Sequence, residues 1–253
     1  MRILSIQSSV SYGHVGNSAA VFPLQRIGHE VMPIYTVMFS NHTGYGEWGG
    51  PLLTGDNVRD VVRGIDARGG LDDVQLVLSG YQGGNDIGDA ILDAVALVKA
   101  RNPEAVYACD PVLGSASSGC FVAPEVQSLI RDRVVPAADL ITPNQFELGF
   151  LTGTDPHTID ETLASVDLIR QSGRRRCWSR VCCAPIAPRA RSKCSLSPPA
   201  VPGSCRLPSF RSRRTARAMS LRHCFLRSCE DRAMRQAHSD ARPPACSNCS
   251  KTR

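Results

Sequence analysis

The stretch ILSIQSSVSYGHVGNSAAVFPLQRIGHEVMPIYTVMF, residues 3–39, decides the fold. Its apolar residues 3–7 predict a short buried strand, and residues 8–17 predict a glycine-bearing polar loop. A helix follows, and residues 30–39 return as a second strand. The chain therefore opens with a β-loop-α-β unit, the building block of sheets with parallel strands.

The helix within this unit has recognisable ends. Asn17 or Ser18 is a natural N-cap, and Gly28 is a natural stop. Because Pro23 has no N–H to donate, we expect it to kink this helix or to delay its start.

The same alternation continues to about residue 173. Apolar runs bounded by turn residues predict strands, and apolar residues at helical spacing predict helices. The further strands are residues 74–78, 105–109 and 140–142, and the further helices follow Asp86 and cover residues 124–133 and 144–151. Strands separated by helices predict an α/β fold with a doubly wound, mostly parallel sheet, whose ligands bind at the carboxyl ends of the strands.

A last helix follows a capping box. Thr158 and Glu161 have the spacing at which each side chain bonds the other's backbone N–H. The residues predicted to form the buried face of this helix are Ile159, Leu163, Val166 and Ile169 or Arg170.

Polar side chains gather where the predicted strands end. They are Ser8, Ser79, Tyr81, Asp110, Thr142, Asn144 and Glu147. Asp110 and Glu147 are the pair best suited to Mg²⁺ beside phosphates, because this ion prefers one or two carboxylates with water and phosphate oxygens. A structural interpretation is equally open, in which Asp110 caps a turn and Glu147 is a first-turn helix acid. Neither GxxxxGK[ST] nor GxGxxG occurs in the sequence.

Five motifs carry a resemblance to a known family. They are IQSSVSYGHVGNSAAVFPLQRIGHEV, TVMFSNHTGYGEW, LSGYQGG, YACDPVLG and ITPNQFELGFLTG. In this order and spacing, residues 1–173 closely resemble the bacterial pyridoxal kinases of the ribokinase-like superfamily. The resemblance implies transfer of the γ-phosphoryl group of ATP to the 5′-hydroxymethyl group of pyridoxal, with Mg²⁺, by an enzyme that is usually a homodimer. Relatives that phosphorylate hydroxymethylpyrimidine or another small alcohol share the fold and remain an alternative.

The resemblance also implies roles for individual residues. Ser8 would bond the pyridine ring, Thr43 and Gly44 would line the substrate pocket, and Tyr81 would pack on the ring face. The residues that would hold ATP and its metal ions are Asp110, Thr142, Asn144 and Glu147, with Asp110 and Glu147 next to the metal. His14 and His42 are interpreted as structural or pocket-lining residues, and Cys109 as a core residue.

Residues 174–253 differ sharply in composition from residues 1–173. The first segment carries 20 acidic and 10 basic side chains, whereas the second carries 3 acidic and 19 basic ones. The second segment also holds nine of the 11 cysteines but only one of the 21 glycines. In this region the family has a Gly-x-Gly-Asp motif, in which backbone N–H groups hold the phosphate and the Asp accepts the hydroxyl proton. No such motif is present, so no catalytic residue is assigned and we expect no turnover from the chain as written.

A shift of reading frame accounts for both the change in composition and the absence of the Gly-x-Gly-Asp motif. When the codons of residues 177–183 are read one nucleotide earlier, they accommodate Val-Leu-Val-Thr-Ser-Val-Leu, a buried strand. The same step at residues 215–220 accommodates Asn-Gly-Thr-Gly-Asp-Val, which contains the absent motif. We therefore predict a frameshift near residues 171–175. Residues 1–173 would be a truncated ribokinase-like domain, and residues 174–253 an out-of-frame tail that we expect to be disordered.

Two other interpretations of the tail remain open. Its arginines would neutralise nucleic-acid phosphates, but few aromatic residues accompany them and they keep no helical period, so this is the weaker interpretation. Cys246 and Cys249 have CxxC spacing, whereas a structural zinc site needs four ligands.

The expected compartment is the cytoplasm. The sequence contains no signal-peptide pattern and no apolar run of membrane-spanning length, so we expect neither secretion nor a membrane partner. In that compartment thiols stay reduced, and the cysteines are not interpreted as a disulfide framework.

Overall fold

The computed structural model describes residues 1–171 as an α/β unit built on a parallel sheet. Its strands are β1 (Arg2–Tyr12), β2 (Glu30–Asn41), β3 (Val74–Ser79), β4 (Val106–Cys109), β5 (Gly114–Ser115), β6 (Gly119–Cys120) and β7 (Leu140–Ile141). Five of them form one sheet in the order β2-β1-β3-β4-β7, and every pairing in that sheet is parallel. Strands β5 and β6 form a separate antiparallel hairpin. The predicted doubly wound, mostly parallel fold is therefore confirmed.

Helices connect the strands. They are α1 (Gly16–Arg26), α2 (Gly55–Asp66), α3 (Asn85–Arg101), α4 (Pro124–Leu129), α5 (Val135–Ala137), α6 (Gln145–Thr152) and α7 (Ile159–Gln171). A 3₁₀ turn lies at Thr43–Tyr45, and a π-helical turn at Ile130–Val134 joins α4 to α5. No helix among residues 1–171 is both long enough and apolar enough to cross a membrane.

Strand β1 lies inside the sheet, between β2 and β3. Ile3, Leu4 and Ile6 are fully buried although neighbouring side chains on a strand point to opposite faces. Burial on both faces is what a parallel strand covered by helices requires, and it explains why apolar residues occupy both faces of this segment.

Most predicted elements are present, and two are additional. Helix α2 begins at a capping box formed by Thr54 and Asn57, and it packs against α3. The hairpin of β5 and β6 follows the loop after β4. The predicted frameshift, the out-of-frame tail and the zinc and nucleic-acid interpretations concern residues outside the described part.

The predicted start of α1 is wrong in its detail. The helix begins at Gly16, and its N-cap is Val15, whose side chain makes no capping bond. Asn17 instead turns its amide into the sheet, where strand carbonyl oxygens accept its hydrogen bonds. Pro23 lies near the end of α1 and does not delay its start.

The predicted face of α7 is only half correct. Val166 and Ile169 are buried, but Ile159 and Leu163 are exposed. Thr162 and Ser165 are buried in their place. Each of these small side chains donates its hydroxyl to the carbonyl four residues earlier, so its polar group is satisfied at the α6–α7 contact. The capping box of Thr158 and Glu161 is confirmed.

One buried side chain carries an unsatisfied amide. Gln82 is 1% exposed, and within residues 1–171 neither its Nε2 nor its Oε1 has a hydrogen-bond partner. Leaving a polar group unpaired in the interior costs free energy that a similar apolar side chain does not cost.

We therefore expect Gln82→Leu to raise the free energy of unfolding by about 1 kcal/mol. The matched control is Gln7→Leu, because the buried Gln7 amide donates to Ser5 Oγ and its loss should destabilise the fold. Urea unfolding of both variants measures the difference. A Gln82→Leu variant as unstable as Gln7→Leu would contradict the expectation.

Candidate active site

The strand order creates a switch point between β1 and β3. From β1 the chain proceeds to β2 on one side, and it then continues through β3 and β4 on the other side. The two crossovers leave the carboxyl ends of β1 and β3 in opposite directions, which opens a crevice where ligands of such sheets bind. Ser8 lies on β1 two residues beyond Ile6, the last β1 residue that pairs with β3, and Tyr81 follows β3, so both lie at this crevice.

Ser8 lies where the register of β1 and β2 changes. Gln7 pairs with Tyr35, but Ser9 pairs with Met38, so β2 contains one residue more than β1 across this step. Such a bulge re-aims the side chains beside it. Ser8 is buried, and Gly16 packs directly against it, because a Cβ at Gly16 would overlap both the carbonyl oxygen and Oγ of Ser8.

Tyr81 is half-buried against an apolar wall. Its ring packs on the cluster of Val10, Val37 and Phe39, and its carbonyl accepts a hydrogen bond from Thr36 Oγ1 at 2.7 Å. Burial raises the pKa of the Tyr81 phenol above its usual value of 10.0. The ring is therefore a neutral, flat surface at physiological pH, suited to packing on another flat ring.

Thr43 and Gly44 lie on the exposed 3₁₀ turn after β2. His42 caps this turn, because its Nδ1 accepts a hydrogen bond from the Gly44 N–H at 3.0 Å. The turn lies beside the end of β1, where the Tyr45 and Tyr12 rings meet edge to face. His42 thus has the structural role predicted for it, whereas His14 is exposed.

Asp110 and Thr142 follow neighbouring strands on the other side of the crevice. Thr142 Oγ1 donates to Asp110 Oδ1 at 3.2 Å. Backbone bonds from Asp110 N to Ser79 O, at 2.9 Å, and from Thr142 N to Cys109 O, at 3.0 Å, extend the ladder past the strand ends. The two side chains are therefore held in one row with Ser79.

Asn144 and Glu147 form the capping box of α6, and both also hold the loop after β4. Glu147 is 2% exposed, and its carboxylate accepts the N–H groups of Leu113 and Asn144 at 3.1 and 2.7 Å. Asn144 Nδ2 donates to Gly114 O at 2.8 Å. The structural interpretation of Glu147 as a helix acid is therefore correct, and the same contacts place its charge beside the loop that starts at Asp110.

This arrangement is compatible with a hard cation. Two carboxylates lie at one edge of the sheet with Thr142 and Asn144, and these are oxygen donors of the kind Mg²⁺ prefers. Among residues 1–171, no three His, Cys, Asp or Glu side chains form a ready-made metal cluster. Mg²⁺ commonly completes such a ligand set with water and phosphate oxygens.

Cys109 does not belong to the chemistry of the site. It is 1% exposed, and burial, together with weaker effects of its neighbours, raises the pKa of its thiol to about 12. A thiol with such a pKa stays protonated and unreactive at physiological pH. The interpretation of Cys109 as a core residue is confirmed.

Comparisons with known proteins agree with this geometry. Residues 87–177 match the family model described as phosphomethylpyrimidine kinase. A pyridoxal kinase PdxY of Leifsonia xyli is 68% identical over 173 residues, and one of Corynebacterium diphtheriae is 61% identical over the same length. Each alignment covers 68% of this chain and 61% of the relative, so the chain spans about three fifths of the length of these relatives.

Solved structures give the same result. The pyridoxal kinase of Leishmania donovani in complex with ADP and pyridoxamine superimposes with a TM-score of 0.64 and 33% identity. The match covers 68% of this chain and 59% of that one. The pyridoxal kinase of Entamoeba histolytica also superimposes with a TM-score of 0.64, at 27% identity.

The described sheet, with polar residues along the carboxyl ends of its strands, has the ribokinase-like fold. Within that class, a segment of 173 residues is similar to bacterial pyridoxal kinases, over about three fifths of their length.

The contact of Gly16 with Ser8 predicts a specific loss of stability. Gly16 and Gly28 both have positive φ angles, of 50° and 90°, but a Cβ at Gly28 would meet nothing within 4 Å. Gly28→Ala should therefore cost only backbone strain, whereas Gly16→Ala should cost about 2 kcal/mol more, because Ser8 must move. Urea unfolding of the two variants measures the difference, and equal losses would contradict the contact.

Proposed function

We propose that the protein, read in its intact frame, transfers the γ-phosphoryl group of ATP to the 5′-hydroxymethyl group of pyridoxal. The products are pyridoxal 5′-phosphate and ADP. The observation that carries the proposal is the division of the strand ends. Ser8 and Tyr81 lie on β1 and after β3, and the row that contains Asp110 and Thr142 lies after β4 and β7. The identity of 68% with a pyridoxal kinase supports it.

The ring of the acceptor would lie in the β1–β3 crevice. The Ser8 hydroxyl would hydrogen-bond the ring nitrogen, and Tyr81 would cover one face of the ring. Thr43 and Gly44 would line the entrance from the exposed turn. Because the raised pKa keeps the Tyr81 phenol neutral, no charge would oppose the ring across the physiological pH range.

The nucleotide would lie at the β4–β7 end. The polar side chains proposed to hold ATP there are Asp110, Thr142, Asn144 and Glu147. Asp110 and Glu147 would also hold Mg²⁺, which neutralises phosphate charge when it is bound. Asn144 and Glu147 would act partly through the loop, since they hold Leu113 and Gly114, beside which the phosphates would lie.

The reaction needs one further group. The acceptor oxygen attacks the γ-phosphorus, the bond from that phosphorus to the bridging oxygen of ADP breaks, and the hydroxyl proton passes to a carboxylate. In the family this carboxylate belongs to the Gly-x-Gly-Asp motif, which residues 174–253 lack as written. We therefore propose that the chain as written binds pyridoxal without phosphorylating it.

The frameshift remains part of the proposal. The relatives match over 173 residues, and residue 173 is the last before the composition changes. Sequencing the gene around codon 173 tests it directly. A one-base difference that opens a frame through Gly-x-Gly-Asp would support it. Confirmation of the present triplets would show that the sequence contains no sequencing error at this point.

Hydroxymethylpyrimidine is the second candidate acceptor. The match of residues 87–177 to the phosphomethylpyrimidine kinase model favours it, because that model describes a kinase of a related small heterocycle. The whole-segment identity to pyridoxal kinases favours pyridoxal. A homodimeric assembly and a cytoplasmic location remain predictions from sequence.

Restoring the reading frame should restore activity. We expect the frame-restored protein to form ADP fastest with pyridoxal and the 253-residue chain to form none above background. The measurement is a coupled ADP assay with pyridoxal and hydroxymethylpyrimidine as alternative acceptors. The control is the restored protein with the aspartate of its motif changed to asparagine. Faster turnover of the pyrimidine would reassign the acceptor, and turnover by the 253-residue chain would refute the need for the motif.

The ring of Tyr81 should matter more than its hydroxyl. Tyr81→Ala should weaken pyridoxal binding roughly tenfold, because a stacked ring is lost, whereas Tyr81→Phe should change it less than about twofold. Affinities are measured on the 253-residue chain from the absorbance change of pyridoxal at pH 6 and pH 9. Because the phenol stays neutral at both values, the effect of Tyr81→Phe should be the same at each. A large loss in Tyr81→Phe would show that the hydroxyl binds the ligand.

A further inference from the structure

A buried polar network lies beneath the candidate ring site. It consists of Ser5, Gln7 and Asn17, which are 0%, 4% and 3% exposed. Gln7 Nε2 donates to Ser5 Oγ at 2.8 Å, and Ser5 Oγ donates to Asn17 Oδ1 at 2.7 Å. Three polar side chains in a row inside an apolar sheet need a reason, because their burial costs free energy that apolar residues would not cost.

The amide of Asn17 joins α1 to two strands. Its Nδ2 donates to the carbonyl oxygens of Ser5 at 3.1 Å, Gln7 at 3.3 Å and Ile34 at 2.9 Å. Ser5 and Gln7 belong to β1, and Ile34 belongs to β2. These bonds lie next to the step in register at which β2 gains its extra residue, so Asn17 bonds strand carbonyls at the bulge that faces Ser8.

The network also reaches β3. The side chain of Gln7 lies over Gly80, where an added Cβ would come within 2.8 Å of Gln7 Oε1. Gly80 donates its N–H to Ile6 O at 3.2 Å and precedes Tyr81 directly. One connected set of contacts therefore fixes both sides of the crevice, Ser8 through the bulge and Tyr81 through Gly80.

We propose that Asn17 is a positioning residue for the acceptor ring, which sets Ser8 and Tyr81 at the separation that a flat heterocycle requires. The inference rests on the proposed function, in which the ring lies between these two side chains. Asn17 touches neither the ring nor the phosphates, and it acts through the main chain of β1 and β2 and through Ser5 and Gln7.

Another asparagine shows what a purely structural amide does here. Asn102 Nδ2 donates to Val74 O at 2.9 Å. Val74 is the first residue of β3, so this bond lies at the amino end of the sheet, opposite the crevice. Asn102→Ala thus removes the same kind of bond from the same sheet without a connection to the ring site, and it is the matched control for Asn17→Ala.

The experiment compares these two variants in the 253-residue chain. We expect both to unfold at lower urea concentration, but only Asn17→Ala to weaken pyridoxal binding, by about tenfold, as misplacement of binding groups produces. Amide hydrogen exchange should accelerate in residues 7–10 and 80–82 of Asn17→Ala. The same residues should exchange at the parent rate in Asn102→Ala. Equal losses of affinity in the two variants, or unchanged affinity in both, would overturn the proposal.

The exchange measurement separates this proposal from the proposed function. If the parent chain binds no pyridoxal, the assignment of the ring site fails. The positioning role of Asn17 is then tested by amide hydrogen exchange alone. Acceleration confined to the two segments would still support positioning, and uniform acceleration or none would overturn it. Should Asn17→Ala fail to fold, Ser5→Ala removes the middle hydroxyl of the network and leaves Asn17 in place. It should produce the same pattern with a smaller loss of affinity, and a normal affinity with normal exchange would overturn the proposal.

Discussion

The amide of Asn17 satisfies strand carbonyl oxygens at the point where β1 and β2 change register. A register change inside a buried parallel pair interrupts the regular ladder, and an unpaired carbonyl there costs about 1–3 kcal/mol. An asparagine from the first turn of α1 donates to a carbonyl oxygen on each of the two strands there. The bulge can therefore persist in the interior, and with it the placement of the buried Ser8 on β1. The placement of Ser8 also depends on Gly16, because the lack of a side chain there lets α1 approach Ser8 closely.

The acidic end of the site obeys a different constraint. Glu147 is buried, so its charge needs partners, and two backbone N–H groups supply them. One of those groups belongs to the loop after β4, which Asn144 also holds through Gly114. Asn144 and Glu147 thus both cap α6 and anchor the loop after β4. Interpretations that treat Glu147 as either structural or functional are not exclusive, because the structural contacts fix the position at which the carboxylate can meet a cation.

The sequence predicts the sheet and the members of the site better than it predicts their contacts. The strands of the sheet and most helices follow from apolar periodicity, because burial of β1 and its neighbours requires it. The predicted cap at Asn17 fails because bonds to the sheet replace the local capping bond, and the only sequence signal was the presence of Ser5 and Gln7 in an apolar strand. In α7, small hydroxyl residues replace Ile159 and Leu163 at the buried face. Contacts between residues 30 or more positions apart, such as Glu147 with Leu113, leave no periodic signal.

The two halves of the site depend on different parts of the chain. The ring half is built on β1 and β3, each of which has a neighbouring strand on both sides within the described sheet. The nucleotide half is built on β4 and β7, and β7 is the last strand of that sheet within residues 1–171. In the proposed site, ring binding would use contacts that residues 1–171 supply, whereas phosphoryl transfer would need the backbone amides and the carboxylate of a motif that the family has beyond residue 173. A change of frame at that residue would therefore separate recognition of the acceptor from chemistry on it.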